Sequence, residues 1–368
     1  MKAISILPGS SDVALKEFPE PEITTATQVK IKILEVGICG TDREQVAGGR
    51  ADAPPGSSVL VIGHEMFGRV VAVGADVTTV AVGDYGVFSV RRGCGKCEPC
   101  LNNRSDLCYT GKYTERGIKE LHGFEAEYVA DDEQYLVKVP ESVKSIGVLA
   151  EPMSVAEKAI DEALSIQASR FSELPITNWI QGKKALVAGL GAIGILGAIA
   201  LRLRGAEVVG LDIVDEDSKR PSILKKIGGH YIDSRKIKAT DIDDKFGEFD
   251  FVFEAAGVAD LGFNLIDAMG INGIYVMTGL PGDARPVCFS AAHVMTQMVL
   301  KNQIIIGSVN AGPKHFELAI RDLEKAKNKW PDVMEEIITT RINYKRFKEA
   351  LDFRSVDDIK TVIEWNES

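Results

Sequence analysis

At 368 residues the chain has room for two domains, and 45% apolar with 26% charged residues is the balance of an ordinary globular protein. Its 43 basic and 53 acidic residues leave a net charge of −10, which speaks against nucleic acid or an anionic membrane surface as a partner. Met1–Leu7 holds one lysine and too short an apolar run for a secretory signal, so a cytoplasmic location is expected.

The first half reads as β-rich. Val29-Lys-Ile-Lys-Ile33 alternates with the two-residue period of a half-buried strand. Cys39 follows, in Gly37-Ile-Cys39-Gly-Thr41-Asp42. Val59–Ile62 and Arg69–Val73 are further short strands, punctuated by Gly63, Gly68 and Gly74. His64 and Glu65 stand between them. Glu151, in Leu149-Ala-Glu151-Pro152, opens a helix. One thiolate, one imidazole and one or two carboxylates form a mixed ligand set that leaves an open position on zinc, as catalytic sites require. Singly, each residue is weak. A lone Cys is more often a small buried hydrophobe, and a lone His is usually structural. Spacing alone does not join positions 39, 64 and 151.

Between these positions lies the most specific signal in the chain: Cys94-x-x-Cys97-x-x-Cys100-x7-Cys108. Four of the six cysteines fall within fifteen residues, enough to close a tetrahedral zinc shell without distant ligands. Disulfides are the rival reading, and clustered Cys without a secretory signal favours metal over them. An iron–sulfur cluster is the other thiolate option, and nothing else in the chain points to one-electron chemistry.

The character changes near residue 183. Ala185–Leu201 is uncharged over 17 residues, the lower edge of membrane-spanning length. Gly189, Gly191, Gly194 and Gly197 interrupt it, so a buried strand, a tight turn and a buried helix explain it better. The strand Ala185–Ala188 runs into Gly189-Leu-Gly191-Ala192-Ile193-Gly194, the dinucleotide-binding pattern in its proper strand–turn–helix setting. Gly189 permits the turn, Gly191 lets backbone amides approach a pyrophosphate, and Gly194 lets helix pack on strand. The next strand, Glu207–Asp212, ends in an acid eighteen residues after Gly194. A carboxylate there accepts hydrogen bonds from the adenosine ribose hydroxyls and repels a 2′-phosphate, so NAD is expected over NADP. Lys219 and Arg220 are read as lying too far along the following loop to reverse this. Phe249–Glu254, Ile274–Thr278 and Ile304–Gly307 continue the βαβ rhythm of a parallel sheet. His315–Lys327 has Phe316, Ala319, Ile320 and Leu323 at helical spacing and is expected to rejoin the first domain with the C-terminal residues.

Gly-Ile-Cys39-Gly-Thr41-Asp42, Gly63-His64-Glu65, the cysteine loop and the glycine pattern, in that order, resemble the zinc-dependent medium-chain alcohol and polyol dehydrogenases over nearly the whole chain. That resemblance implies an α/β protein. It has a GroES-like β-rich catalytic domain (1–182 and 312–368, with a structural-zinc lobe at 94–108) and a doubly wound Rossmann cofactor domain (183–311). The active site is implied in the cleft between them. Arg91-Arg92-Gly-Cys94-Gly, Lys112-Tyr-Thr-Glu115-Arg-Gly-Ile118, His122-Gly-Phe124, Glu151-Pro-Met-Ser-Val-Ala-Glu157-Lys158 and Gly307-Ser-Val-Asn310 are similar to the archaeal-type glucose 1-dehydrogenases.

The resemblance implies two zinc ions per subunit. Cys39, His64 and Glu151 surround the catalytic one, with Glu65 approaching it, and the four cysteines hold the structural one. It implies D-glucose oxidised at C1 to the lactone, with hydride passing to NAD(P). Thr41 is the expected first proton acceptor, and Asp42 is expected to orient a ligand. Thr41, Glu115, Glu151 and Asn310 are expected to meet the sugar. Ala192, Ile193, Thr278 and Val309 join the glycines and Asp212 as expected cofactor contacts. A homo-oligomer is implied, a tetramer or alternatively a dimer, with the Rossmann sheet edge as one interface and the cysteine lobe as a candidate second. Two departures stand out: Asp212-Ile-Val replaces the arginine-containing segment that suits NADP, and Val90 replaces a sugar-touching Asn found before the paired arginines in some members. The competing readings are a sorbitol- or threonine-type dehydrogenase, a zinc-free quinone reductase, and a non-catalytic nicotinamide sensor. The last two should have lost Cys39, His64 and Glu151.

Overall fold

The computed structural model describes residues 1–174, 178–282 and 285–366. The chain divides into two compact units, one of 1–154, 310–324 and 337–368, the other of 155–309 and 325–336.

A long central strand, Gln28–Ile38, organises the first unit. Its buried residues Val29, Ile31 and Ile33 keep the alternation seen in the sequence, and Val36–Ile38 are buried without a break. Glu65–Val73 and Lys360–Glu364 flank it as antiparallel partners, and Tyr128–Asp132 pairs with its first half. Register matters more than strand number here. Gly37 faces Glu65, and Ile38 faces Thr361, so the end of the chain lies beside the strand that delivers Cys39. A small sheet of Arg91–Arg92, Thr114–Arg116 and Glu120–Leu121 carries the cysteine loop.

The second unit is built on a six-stranded parallel sheet. Its order is His230–Asp233, Glu207–Asp212, Lys184–Ala188, Phe249–Glu254, Met269–Met277 and Ile304–Gly307. The first strand in sequence is third in space, the order of a doubly wound dinucleotide fold. The uncharged stretch after Lys184 divides as expected into the strand Lys184–Ala188 and the helix Ala192–Leu203. Among the described residues no helix is long and apolar enough to cross a membrane.

The packing boundary differs from the expected one at 182/183. The helix Ala150–Arg170 carries the chain into the second unit from Val155 onward. Its side chains explain why: Glu157 pairs with Arg204, Gln167 donates to the Asn272 carbonyl and Arg170 to that of Asn302. Similarly, the helix Pro313–Lys329 buries Phe316, Ala319, Ile320 and Leu323, but only its first part belongs to the first unit. Residues 325–336 go with the second, where Glu336 pairs with Lys226.

Candidate active site

All four lobe cysteines carry free thiols whose sulfurs lie within 4.8 Å of one another. Sulfur separations of 3.3 Å (Cys97–Cys100), 3.9 Å (Cys97–Cys108) and 4.0 Å (Cys94–Cys100) are too long for disulfides. A tetrahedron with 2.3 Å Zn–S bonds has edges of roughly 3.8 Å, which these separations bracket. Thr110 and the backbone amides of Lys96 and Cys97 pull the Cys94 thiol down to about 5, so it is a ready thiolate. Gly93 is required by the cluster, because a Cβ there would lie 2.4 Å from the Cys100 sulfur.

The second cluster assembles Cys39, His64 and Glu65, again within 4.8 Å. Cys39 precedes the helix Gly40–Val46 and occupies its N-cap. The Thr41 amide donates to its sulfur at 3.3 Å, and its own amide donates to Asp42 Oδ2 at 2.9 Å. Cys39 Sγ stands 3.2 Å from His64 Nε2. Two tetrahedral zinc ligands of this type sit roughly 3.6 Å apart, so the pair fits one ion. Asp42 Oδ1 faces His64 Nδ1 at 3.6 Å, and both atoms are buried without a hydrogen bond. A carboxylate behind the outer nitrogen of a metal-binding His is the usual orienting arrangement.

Lys360 is a participant the sequence did not announce. Its ammonium lies 2.5 Å from Glu65 Oε2, with both side chains 2% exposed. Gly37 makes room for this pair: a Cβ there would meet Glu65 Oε2 at 2.1 Å. Glu65 therefore has a buried cation as an alternative to metal. Glu151 lies outside the tight trio, at the start of its helix, yet feels it. Burial first, then repulsion from Glu65, pushes the Glu151 carboxyl up to about 7. Burial also raises the Cys39 thiol, and Asp42 and Glu65 add to this. Burial pulls His64 down, but Cys39 and Asp42 outweigh it and leave it well above its ordinary value. A thiol, a His and three carboxyls facing one ammonium make an electron-rich pocket suited to a divalent cation.

Glu125 was also missed. It is fully buried, its Oε2 accepts from the Trp365 indole at 2.8 Å, and its Oε1 has no partner. Burial raises its carboxyl well above the ordinary range, and Asp42 contributes to the rise.

Glu115 and Asn310, 195 residues apart, meet at 2.7 Å through Asn310 Nδ2 and Glu115 Oε1. Asn310 is held in the left-handed region at φ +63°, with its Oδ1 accepting from the Ala311 amide.

In the second unit the dinucleotide turn has the expected glycine chemistry. Gly189 has φ +85°, and a Cβ on Gly194 would lie 1.7 Å from the Gly189 carbonyl oxygen. Around Gly191, the N-cap of the Ala192–Leu203 helix, a Cβ would meet nothing within 4 Å. Ala192 and Ile193 form the first turn of that helix. Asp212 is pinned at the strand end: Leu190 N donates to Oδ2 at 2.8 Å and Ile213 N to Oδ1 at 2.7 Å. Arg220 is not too far along the chain. The helix Lys219–Lys226 returns it to within 3.4 Å of Asp212 Oδ2. Glu254, another residue the sequence did not flag, ties the adjacent strand ends together by accepting from the Ala256, Gly257 and Gly279 amides. Thr278 spends its hydroxyl on the Glu254 carbonyl, and Val309 is exposed.

A Rossmann unit joined to a GroES-like unit bearing a Cys–His–Glu cluster and a four-cysteine lobe defines the zinc-type medium-chain dehydrogenases. The profile of the alcohol dehydrogenase GroES-like domain matches residues 25–141, and that of the glucose dehydrogenase C-terminus matches residues 144–365. Glucose 1-dehydrogenase 1 of Caldivirga maquilingensis is 39% identical over 100% of this chain and 99% of its own. Glucose 1-dehydrogenase 2 of Vulcanisaeta moutnovskia is 38% identical over 99% of both. The Haloferax mediterranei glucose dehydrogenase, solved with NADP, zinc and gluconolactone, superposes with a TM-score of 0.88 at 32% identity over all of both chains. The chain belongs to this zinc-dependent family, in its glucose dehydrogenase branch.

Proposed function

We propose that this protein oxidises D-glucose at C1 to the gluconolactone, with the hydride accepted by a nicotinamide dinucleotide. The observation that carries the sugar reading is the Glu115–Asn310 contact in the unit that holds the Cys39–His64–Glu65 cluster. Relatives named glucose 1-dehydrogenase along their full length support it.

Cys39 and His64 would hold the catalytic zinc, with Glu65 and Glu151 as carboxylates within reach of its open positions. The ion supplies Lewis acidity that makes the C1 hydroxyl acidic near neutral pH. Thr41 takes that proton through its hydroxyl and passes its own towards solvent. Asp42 fixes the His64 ring from behind. Lys360 anchors Glu65 through its ammonium. Glu115 and Asn310 bind sugar hydroxyls, and a polar site of this kind rejects a plain alcohol by up to about 10⁴. The four lobe thiolates would hold a second, structural zinc.

NAD is the preferred cofactor in this reading, because Asp212 is pinned by two backbone amides and cannot turn away from a 2′-phosphate. Arg220 beside it offsets part of that repulsion, so the preference is moderate. The protein assembles as a homo-oligomer. Ile304–Gly307 is the outermost strand of the parallel sheet, and the preceding helix Ala291–Leu300 exposes Met295 (68%), Val299 (75%) and Leu300 (76%). A second copy, pairing at that edge, covers both; two such pairs give the tetramer.

The test is the initial rate of nicotinamide reduction by zinc-loaded protein with D-glucose, using NAD and NADP in parallel. Reduction that requires glucose and exceeds that with sorbitol or threonine supports the reading. Equal or faster turnover of a polyol overturns the sugar assignment, and faster turnover with NADP overturns the role given to Asp212. Sedimentation of the native protein, with Val299→Lys as the interface variant, tests the assembly.

A further inference from the structure

Glu115 sits on a three-residue strand, Thr114–Arg116, in the middle of the cysteine lobe's small sheet. What fixes it is Arg91. In the register of the small sheet Arg91 stands directly opposite Glu115. Its Nε and Nη2 both donate to Glu115 Oε1, each at 3.0 Å. Its third arm, Nη1, donates to the Asp106 carbonyl at 2.8 Å, inside the segment between Cys100 and Cys108. The Tyr113 ring lies 3.9 Å from the guanidinium. Arg91 is only 8% exposed, and every arm of its fork is committed.

The consequence for Glu115 is specific. Oε1 takes three donors, two from Arg91 and one from Asn310. Oε2 accepts no hydrogen bond among the described residues, so one oxygen is anchored and the other is presented. The same lobe segment also braces the far side of the pair. Asp106 packs against Gly312, where a Cβ would lie 2.6 Å from Asp106 Oδ1, two residues beyond Asn310. Ser105 Oγ returns a hydrogen bond to the Arg91 carbonyl at 3.3 Å. The four-cysteine loop therefore contacts Arg91, which holds Glu115, and Gly312, two residues beyond Asn310.

We infer that Arg91 is the positioning residue for the sugar-binding carboxylate, tethering Glu115 to the cysteine loop so that the metal lobe acts as a sugar-affinity element as well as a structural one. This rests on the reading that Glu115 binds the sugar. A planar fork with three fixed donors can make this tie, whereas a lysine ammonium reaches one partner at a time. Glu115 freed of Arg91 keeps its charge but loses its aim. Loss should fall on sugar binding rather than on hydride transfer or the cofactor.

The experiment uses the zinc-loaded enzyme and reads glucose KM, kcat, NAD KM, zinc per chain and calorimetric glucose affinity. Arg91→Met is expected to raise glucose KM about 10- to 100-fold, the range for a charged hydrogen bond. Values of kcat and NAD KM should stay within about threefold, and both zinc ions should be retained. Arg91→Lys should fall between Arg91→Met and wild type. Combined with Glu115→Ala, Arg91→Met should add nothing, because it acts through Glu115. An additive double variant, or a loss confined to kcat, overturns the inference. If Glu115→Ala itself leaves glucose KM unchanged, the sugar-site reading fails first. If Glu115→Ala raises glucose KM and Arg91→Met does not, only the Arg91 inference falls. Cys108→Ser, with one zinc lost, is expected to raise glucose KM without changing NAD KM; an unchanged glucose KM removes the lobe from the argument. Should Cys108→Ser fail to fold, Arg91→Lys decides, since it separates a tie to both partners from a bare positive charge.

Discussion

The four-thiolate lobe and the Cys39–His64–Glu65 cluster are both suited to one zinc ion, yet the chain builds them from opposite resources. The lobe draws every candidate ligand from residues 94–108, and each is a cysteine sulfur. The second cluster draws on a helix N-cap (Cys39) and the residues that open the Glu65–Val73 strand. Glu151, at the start of a helix, and Lys360, in the C-terminal strand, complete its surroundings. Its polar groups differ in kind, and several have two neighbours: Glu65 stands between the Cys39–His64 pair and Lys360, and Asp42 between the Cys39 amide and the His64 ring. A closed set of identical ligands makes a staple, whereas a mixed set with spare carboxylates makes a site that can admit a substrate.

The largest expected effect separates these roles outright. Cys39→Ser should lower glucose-dependent nicotinamide reduction by roughly four orders of magnitude, about 5.5 kcal/mol in barrier height. It should remove one of two zinc ions and leave Tm nearly unchanged. Cys97→Ser should do the reverse, with a large loss of Tm as the second ion goes and with kcat retained in whatever fraction stays folded. Metal analysis and calorimetry on both variants check this; equal losses of activity and stability in the two would erase the distinction. Next in size is Lys360→Met. Breaking one side of a fully buried ion pair costs about 3–5 kcal/mol, and Lys360→Met removes the ammonium that faces buried Glu65. Denaturant unfolding should show that loss. Lys360→Arg should recover most of it, and adding Glu65→Gln to Lys360→Met should recover part.

The same contrast explains what could be read in advance. Cys94–Cys108 and Gly189–Gly194 were legible because their chemistry is local: the residues that act together are neighbours in sequence. The strand Gln28–Ile38 and the helix at Pro313–Lys329 were legible through periodicity. Cys39, His64 and Glu151 were visible only through resemblance, since antiparallel register, not spacing, brings the first two together. Lys360 carried a faint signal, a lysine inside the apolar run Ile359–Ile363, but its partner lies 295 residues away. Arg220 was misjudged because sequence distance ignores a helix that folds back on the strand end. The 182/183 boundary followed the start of the first Rossmann strand and could not show that Glu157, Gln167 and Arg170 had already found partners in the second unit.

A smaller effect probes the support behind His64. Asp42→Asn keeps an acceptor for the Cys39 amide but removes the charge facing Nδ1. Loss of such an outer partner costs 10- to 100-fold in metal affinity or turnover, roughly 1.4–2.7 kcal/mol. Competition for zinc with a chelator of known affinity reads it directly, and an unchanged affinity would make Asp42 a helix cap and nothing more.

The smallest effect concerns Glu125, which lies close enough to Asp42 and His64 to feel their charges. Its carboxyl is raised in the folded protein, from about 4.3 in an unfolded chain. Below the unfolded value both states are protonated, and the folded state keeps its full stability. As pH rises the unfolded state releases its proton first, so stability falls from there up through the folded value. Glu125→Gln removes this dependence while keeping an oxygen for the Trp365 indole. The variant should match wild type near pH 4 and gain roughly 1–2 °C in Tm near pH 8, the shift expected for about 1 kcal/mol in a chain of 368 residues. Scanning calorimetry at the two pH values checks it. A gain at both would assign the effect to packing, and a loss at pH 8 would mean that the Glu125 charge is used, tying it to the Asp42–His64 pair as part of the catalytic cluster rather than a cost of building it.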